Sequence, residues 1–390
     1  MTPVLLVALA LLASASAFSP KQSVHSVVKN ANNNIVGAAS MRGNSKLFST
    51  GEGIVAADAI PSPKKKSFID AIWNENTKLT AYLAVWYLGN IAYNIYNKKA
   101  CNALGKDIHG HANAHWALSA VQLLVGVAFV LPLWLTGIRK APNMTLDNWK
   151  ELAPVGLFAA LAHAFSVLAL GAGAVSFGQI VKAGEPVFAA ATNAILLGDV
   201  DHPMVYAALL PIIGGVGLAS LKELSFTWTA LIAASAANQA AALKNVVSKG
   251  VMKKPWAKVL GAQNQYAVVT ILALICTLPL VAFFDLKTFD AVYKQVLLMG
   301  TKNDVIKYSL YSGLAFYLYN EAAFLALERL SPVTHSVANT LKRVVIIVAS
   351  CIVFRTPMSL LGGIGSAIAV GGTLLYSLAK GKYSKGGAKH

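Results

Sequence analysis

Four cationic side chains lie inside apolar runs, where hydrocarbon would exclude them: Lys182 in "SFGQIVKAGEPVF", Lys244 near the end of a later run, and the adjacent Lys342 and Arg343 in "ANTLKRVVIIVAS". A cation at a bilayer centre costs at least ~2.5–3.5 kcal/mol, and such residues usually face a pathway. Glu185 reads as the one acid well inside a run, three residues after Lys182 and on the same face of a continuous helix. Lys182 could pair with Glu185, and Lys244 could reach the interface from its helix end. Lys342 and Arg343 would still lack counter-charge. A diffusible anion with nearly two negative charges, a phosphate group, fits this excess. Arg offers a fork to phosphate oxygens and Lys a compact charge. The expected site brings Lys182, Lys342 and Arg343 together where two apolar segments face each other.

Polar neighbours accompany the cations. His163 and Ser166 share a face three residues apart. Tyr319 and Asn320 lie in "FYLYNEAAF", and Thr334, His335 and Asn339 precede the Lys-Arg pair. His163 shares its face with Ser166, and Lys182 follows on the next segment, which favours a site role. His335 reads as a packing residue. Tyr319 suits either a site or an aromatic core with its hydroxyl on a backbone carbonyl. Glu185 is expected to hold Lys182 or Lys244 when the site is empty, as a gate or pairing residue.

The elements that must position these groups are membrane helices. Apolar residues make up 56% of the chain and charged residues 13%. Runs of about 20 apolar residues recur, enough to cross ~30 Å of hydrocarbon. Ten such segments are expected, near 80–96, 116–137, 152–170, 175–197, 204–221, 226–247, 262–284, 305–327, 333–354 and 359–378. The stretch from Ser176 to Pro203 parallels that from Ser331 to Pro357: each is a Ser-led segment with an internal Lys and a charged turn ending in Pro, and each leads into a Gly-rich segment. The expected fold is therefore an all-α membrane protein of ten transmembrane helices in two inverted five-helix repeats, 67–222 and 223–390, with a midplane site between them. The glycines of the fifth and tenth segments read as close packing.

The net charge is +17. Most of that charge lies in short connections, where it sets topology rather than binding nucleic acid. The side with both termini and the loop "SKGVMKKPWAK" is the more basic, which is expected to place the termini on the side equivalent to that of synthesis. Cys101, Cys276 and Cys351 are scattered, so no metal site, cofactor or disulfide framework is expected.

The N-terminus reads as an address. Val4–Leu12 is an apolar core followed by Ala15-Ser16-Ala17, a signal peptide over 1–17. Residues 18–66 are rich in Ser, Asn, Lys and Ala, with Glu52 and Asp58 their only acids, a disordered transit-peptide composition. The Ala-Phe junction resembles the bipartite presequences of complex plastids of the red lineage.

At "SPVTHSVANTLKRVVII", with "WYLGNIAYNIYNKKACNA", "AVSFGQIVKAGEPVF" and "YLYNEAAFLALERL", the chain resembles the plastid phosphate translocators of the drug/metabolite transporter superfamily, most of all those exchanging triose phosphate. The resemblance covers nearly everything after Lys66. It implies that Lys182, Lys342 and Arg343, assisted by Ser166, hold the substrate phosphate, and that His163, Tyr319 and Lys244 meet the three-carbon moiety. Many members carry Arg where this chain has Lys244, and Thr where it has Ser166. It further implies antiport of inorganic phosphate against triose phosphates or 3-phosphoglycerate in a plastid envelope, the inner membrane above all. A monomer and a homodimer both fit. Rival readings are a nucleotide-sugar carrier or another phosphorylated-metabolite carrier (phosphoenolpyruvate, sugar phosphate), an anion channel, and an enzyme. The enzyme reading lacks a nucleophile motif; Glu185 with His163 is its only candidate couple.

Overall fold

The computed structural model describes residues 75–106, 114–221, 226–330, 332–356 and 358–383. The expected signal and transit peptides lie outside these residues. The account concerns the unit that begins at Ala81.

Its regular elements are helices: α1 (Glu75–Leu104), α2 (His115–Leu135), α3 (Leu146–Ala172), α4 (Val175–Lys182), α5 (Glu185–Leu197), α6 (Pro203–Ala207), α7 (Leu209–Leu221), α8 (Trp228–Val251), α9 (Pro255–Lys258), α10 (Gly261–Leu280), α11 (Phe289–Leu298), α12 (Lys302–Leu327), α13 (Pro332–Phe354) and α14 (Leu360–Tyr383). Each of the ten expected segments falls on a helical stretch. Among the described residues, seven stretches are long and apolar enough to cross a membrane. The other three, α1, α8 and α12, hold 30, 24 and 26 residues. At ~1.5 Å per residue each exceeds ~30 Å, although internal polar residues such as Lys98, Lys244 and Glu321 dilute its apolar character.

Local chemistry explains where the helices depart from the expected runs. The fourth segment is two helices, α4 and α5. Pro186 has no N–H to return to the carbonyl of Lys182, so the ladder breaks there. The fifth segment starts as the short α6, capped by His202 Nδ1 accepting from Met204 N, and continues as α7. The seventh runs past its expected end: α10 passes through a π turn (Val281–Asp285) and a 3₁₀ turn (Leu286–Thr288) into α11. There Val292 and Val296 pack against Ala100, Cys101 and Leu104. α1 extends past Tyr96 and carries Lys98 inside. Lys98 Nζ donates to the carbonyls of Leu170 (2.8 Å) and Gly173 (2.7 Å), closing the C-terminal end of α3 with positive charge.

The most extensive packing joins α3 to α8, followed by α7 to α14; α2 also packs on α10, and α4 on α13, the two segments expected to face each other. Apolar side chains such as Leu210, Ile213, Leu360 and Leu375 stay exposed, as on a surface that meets hydrocarbon. The α7–α14 crossing is set by glycine. A Cβ on Gly215 would lie 2.6 Å from Gly365 O and 2.8 Å from Ala369 Cα; one on Gly365 would lie 2.7 Å from Gly215 O. The backbones touch, as small residues allow where no hydrophobic push joins helices.

Gly215→Ala is expected to lower stability by about 1–3 kcal/mol through overpacking. Gly214→Ala, whose Cβ would meet nothing within 4 Å, should be near neutral or slightly stabilising. Thermal unfolding in detergent separates the two; equal effects would show that the crossing is not glycine-limited.

Candidate functional site

The break in the fourth segment builds the site. Lys182 is the last residue of α4, where the helix dipole favours a cation, and Glu185 is the first of α5, where it favours an anion. Two neighbours satisfy the interrupted backbone. Asn238 Nδ2 of α8 donates to Val181 O at 2.9 Å, and Thr373 Oγ1 of α14 donates to Ala183 O at 3.2 Å. Discontinuous helices of this kind frame midplane sites in transporters.

α13, by contrast, runs unbroken, and successive residues diverge by about 100°. Lys342 and Arg343 therefore meet different partners. Arg343 is buried, and its Nη2 donates to Glu185 Oε2 at 2.7 Å. Lys342 Nζ lies 5.1 Å from the Trp86 ring centroid and 6.0 Å from that of Tyr319. Lys182 Nζ donates to Ser166 Oγ at 2.7 Å, and that hydroxyl donates to Ala162 O.

Two cavities meet at this centre. The first, about 230 Å³, is lined by Lys182, Lys342, Arg343, Glu185 and Ser166, with Trp86 among its aromatics. The second, about 380 Å³, is lined by His163, Lys244, Tyr319, Lys182, Glu185 and Ser166. Tyr93 and Asn320 join Ser166, Lys182, Glu185 and Tyr319 in lining both. The eight residues given site or gate roles from the sequence thus line one cavity or the other, and Asn320, His335 and Asn339 line the first as well. Lys342 and Arg343 lie in the first alone, His163 and Lys244 in the second alone. Lys244 sits about two turns before the end of α8, farther inside than its place in the expected run suggested. The His163 ring packs 3.9 Å from that of Phe316, and neither ring nitrogen has a hydrogen-bond partner among the described residues.

Two readings need correction. Glu185 pairs with Arg343 rather than with Lys182 or Lys244, because the break between Lys182 and Glu185 ends the single helix face they were expected to share. Nor is Glu185 the one acid well inside a run: Glu321 in α12 is buried and ion-paired with Arg139, whose Nη1 also reaches Tyr317 Oη at 3.4 Å. The signal was present in "FYLYNEAAF", but its partner follows the end of α2. Reasoning from sequence also passed over Trp86, Asn94 and Gln179. The last two are joined by a 2.9 Å bond from Gln179 Nε2 to Asn94 Oδ1 in the wall of the first cavity.

Asn238→Leu should leave Val181 O with the single bond from Gly184 N (3.0 Å) and destabilise the protein by about 0.5–1.5 kcal/mol. Thr373→Val should cost less, because the Thr373 hydroxyl is shared with Ala369 O. Melting curves in detergent test this; the reverse order would mean that Asn238 does not hold the break.

Comparison with known proteins places these features in a family. The model of the triose-phosphate transporter family matches residues 77–377. The chain is 35% identical to phosphoenolpyruvate/phosphate translocator 1 of Arabidopsis thaliana, over 84% of this chain and 78% of that one. It is 35% identical to the non-green-plastid triose phosphate/phosphate translocator of Brassica oleracea var. botrytis, over 78% and 73% of the two chains. It is 34% identical to glucose-6-phosphate/phosphate translocator 2 of Arabidopsis thaliana, over 78% and 76%. Broken and continuous helices carrying convergent cations, and a family match along nearly the whole helical body, lead to one conclusion: the chain is a membrane transporter, not an enzyme, and belongs to the triose-phosphate transporter family.

Proposed function

We propose that the protein exchanges inorganic phosphate for a triose phosphate or 3-phosphoglycerate across a plastid envelope, the inner membrane of a complex red-lineage plastid. The observation that carries this reading is the charge balance of the first cavity. Lys182, Lys342 and Arg343 face a single carboxylate, Glu185, leaving two positive charges in excess. A phosphate dianion neutralises that excess. In this reading the phosphate sits among Lys182, Lys342, Arg343 and Ser166. The carbon chain reaches the second cavity toward His163, Tyr319 and Lys244. Lys244 supplies a point charge for a carboxylate rather than a fork. The chloroplastic relatives and the transit-like composition of residues 18–66 support the plastid address.

The two halves, 67–222 and 223–390, act as inverted repeats of five spans, and the site lies where α4–α5 meets α13. Rocking of the repeats exposes it to each side in turn. Two like charges about 5 Å apart at an effective dielectric near 20 repel by roughly 3 kcal/mol. An empty site therefore resists closure, while a bound dianion permits it. Glu185, seated on Arg343, is the carboxylate the incoming phosphate must displace.

A second reading has its own observation. The larger cavity carries Asn245, Ser248, Gln265 and Thr270 beyond the three-carbon residues, room and hydrogen-bonding capacity for a sugar phosphate.

Reconstituted counter-exchange tests these statements. Uptake of labelled phosphate should collapse when the liposome holds no phosphate or phosphorylated metabolite. Equal rates with and without internal substrate at equal membrane potential would indicate a channel or uniporter. Lys182→Ala, Lys342→Ala and Arg343→Ala should each nearly abolish exchange in folded protein; wild-type rates in any one remove that residue from the site. Glu185→Gln should change maximal rate more than KM, and a change in KM alone would reduce Glu185 to a local pairing residue. A panel of internal substrates decides between three-carbon and sugar phosphates.

A further inference from the structure

Lys342 differs from the other cations of the first cavity. Lys182 has the Ser166 hydroxyl and Arg343 has Glu185, whereas among the described residues Lys342 Nζ makes no hydrogen bond or ion pair. A half-buried ammonium in the middle of an apolar helix, without any such partner, needs another source of stabilisation. The Trp86 ring supplies it, since its face is electron-rich and its centroid lies 5.1 Å from Nζ. The ring is itself fixed. Trp86 is only 2% exposed, and the imidazole of His335 stacks on it at 4.8 Å and 13°. His335 lies seven residues before Lys342, two turns along the same face of α13. Thus α13 presents a ring that steadies Trp86 and a cation that rests on it, and all three residues line the cavity.

We propose that Trp86 is a positioning residue for Lys342: its ring holds the ammonium in the cavity of the empty carrier, ready for the phosphate, and His335 holds the ring. The proposal rests on the phosphate reading of that cavity. A ring face stabilises a charge without occupying it as a carboxylate does. Phosphate can therefore engage Lys342 without displacing an anion, unlike at Arg343, where Glu185 must leave. Trp86 accordingly sets affinity rather than turnover. An aromatic replacement keeps part of the effect, because the attraction falls from Trp to Phe and vanishes for an aliphatic side chain.

The test is phosphate counter-exchange by reconstituted Trp86→Phe and Trp86→Leu variants, with tryptophan emission of the detergent-solubilised protein. Trp86→Leu is expected to raise KM for phosphate about tenfold with maximal rate within about twofold, and Trp86→Phe to raise it only about two- to threefold. In phosphate-free protein, the emission of wild type minus Trp86→Phe should shift when Lys342 is changed to Gln and stay put when Lys182 is. Equal KM values for Leu and Phe, a loss confined to maximal rate, or a Trp86 emission indifferent to Lys342→Gln would each overturn the proposal. Should Trp86→Leu not fold, the Phe variant and the emission measurement still decide. Failure of wild-type protein to exchange phosphate would instead sink the functional reading on which the proposal depends.

Discussion

Positive charge set inside apolar helices without enough negative charge beside it is the constraint from which the rest of the architecture follows. Three cations line a cavity that holds one carboxylate. Each would be costly in hydrocarbon, and together they repel one another. The protein meets the cost piecemeal: a hydroxyl for Lys182, a carboxylate for Arg343 and an aromatic face for Lys342. None of these is a full counter-charge for the set. In the proposed function the remainder is left to a mobile anion, so that the electrostatics that would bind phosphate would also penalise the empty site. Coupled exchange then needs no separate coupling device.

Helix architecture turns that constraint into a place. The two cation-bearing segments are related in sequence but not in conformation. α4 and α5 are separated by a break at Ala183-Gly184, while α13 is continuous. The break turns one helix into two helix ends of opposite polarity, which suits a lysine before it and a glutamate after it. The continuous helix instead directs neighbouring cations to different walls. Arg343 then reaches Glu185 across the break, 158 residues away in sequence, and Lys342 reaches the aromatic wall built from α1 and α12. Other buried charges serve the frame. Lys98 closes the end of α3, and Arg139 with Glu321 ties the end of α2 to α12.

Much was legible in the sequence. The ten apolar runs all fall on helices, seven stretches of which are long and apolar enough for a membrane span among the described residues, and hydrogen bonding within the chain makes helix the available form where water is absent. The parallel between the stretches ending at Pro203 and Pro357 anticipated that α4 and α13 would pack together. The glycines were read as close packing, which holds for Gly215, Gly365 and Gly372 at the α7–α14 crossing and not for Gly214, Gly217 or Gly371, where a Cβ would meet nothing within 4 Å. The cations announced themselves because their cost in hydrocarbon does not depend on which neighbours they have. The partners were a different matter. Pro186 was visible, but the groups that make a break tolerable, Asn238 and Thr373, come from two other helices. That Glu185 would choose Arg343, that Glu321 would find Arg139, and that Trp86 would lie between His335 and Lys342 are matters of which helix faces meet, over separations of 158 and more residues. Helical period and burial cost are properties of a segment, so the segment's own residues determined them. Pairing depends on the relative placement of segments, and only the packed tertiary structure decided it.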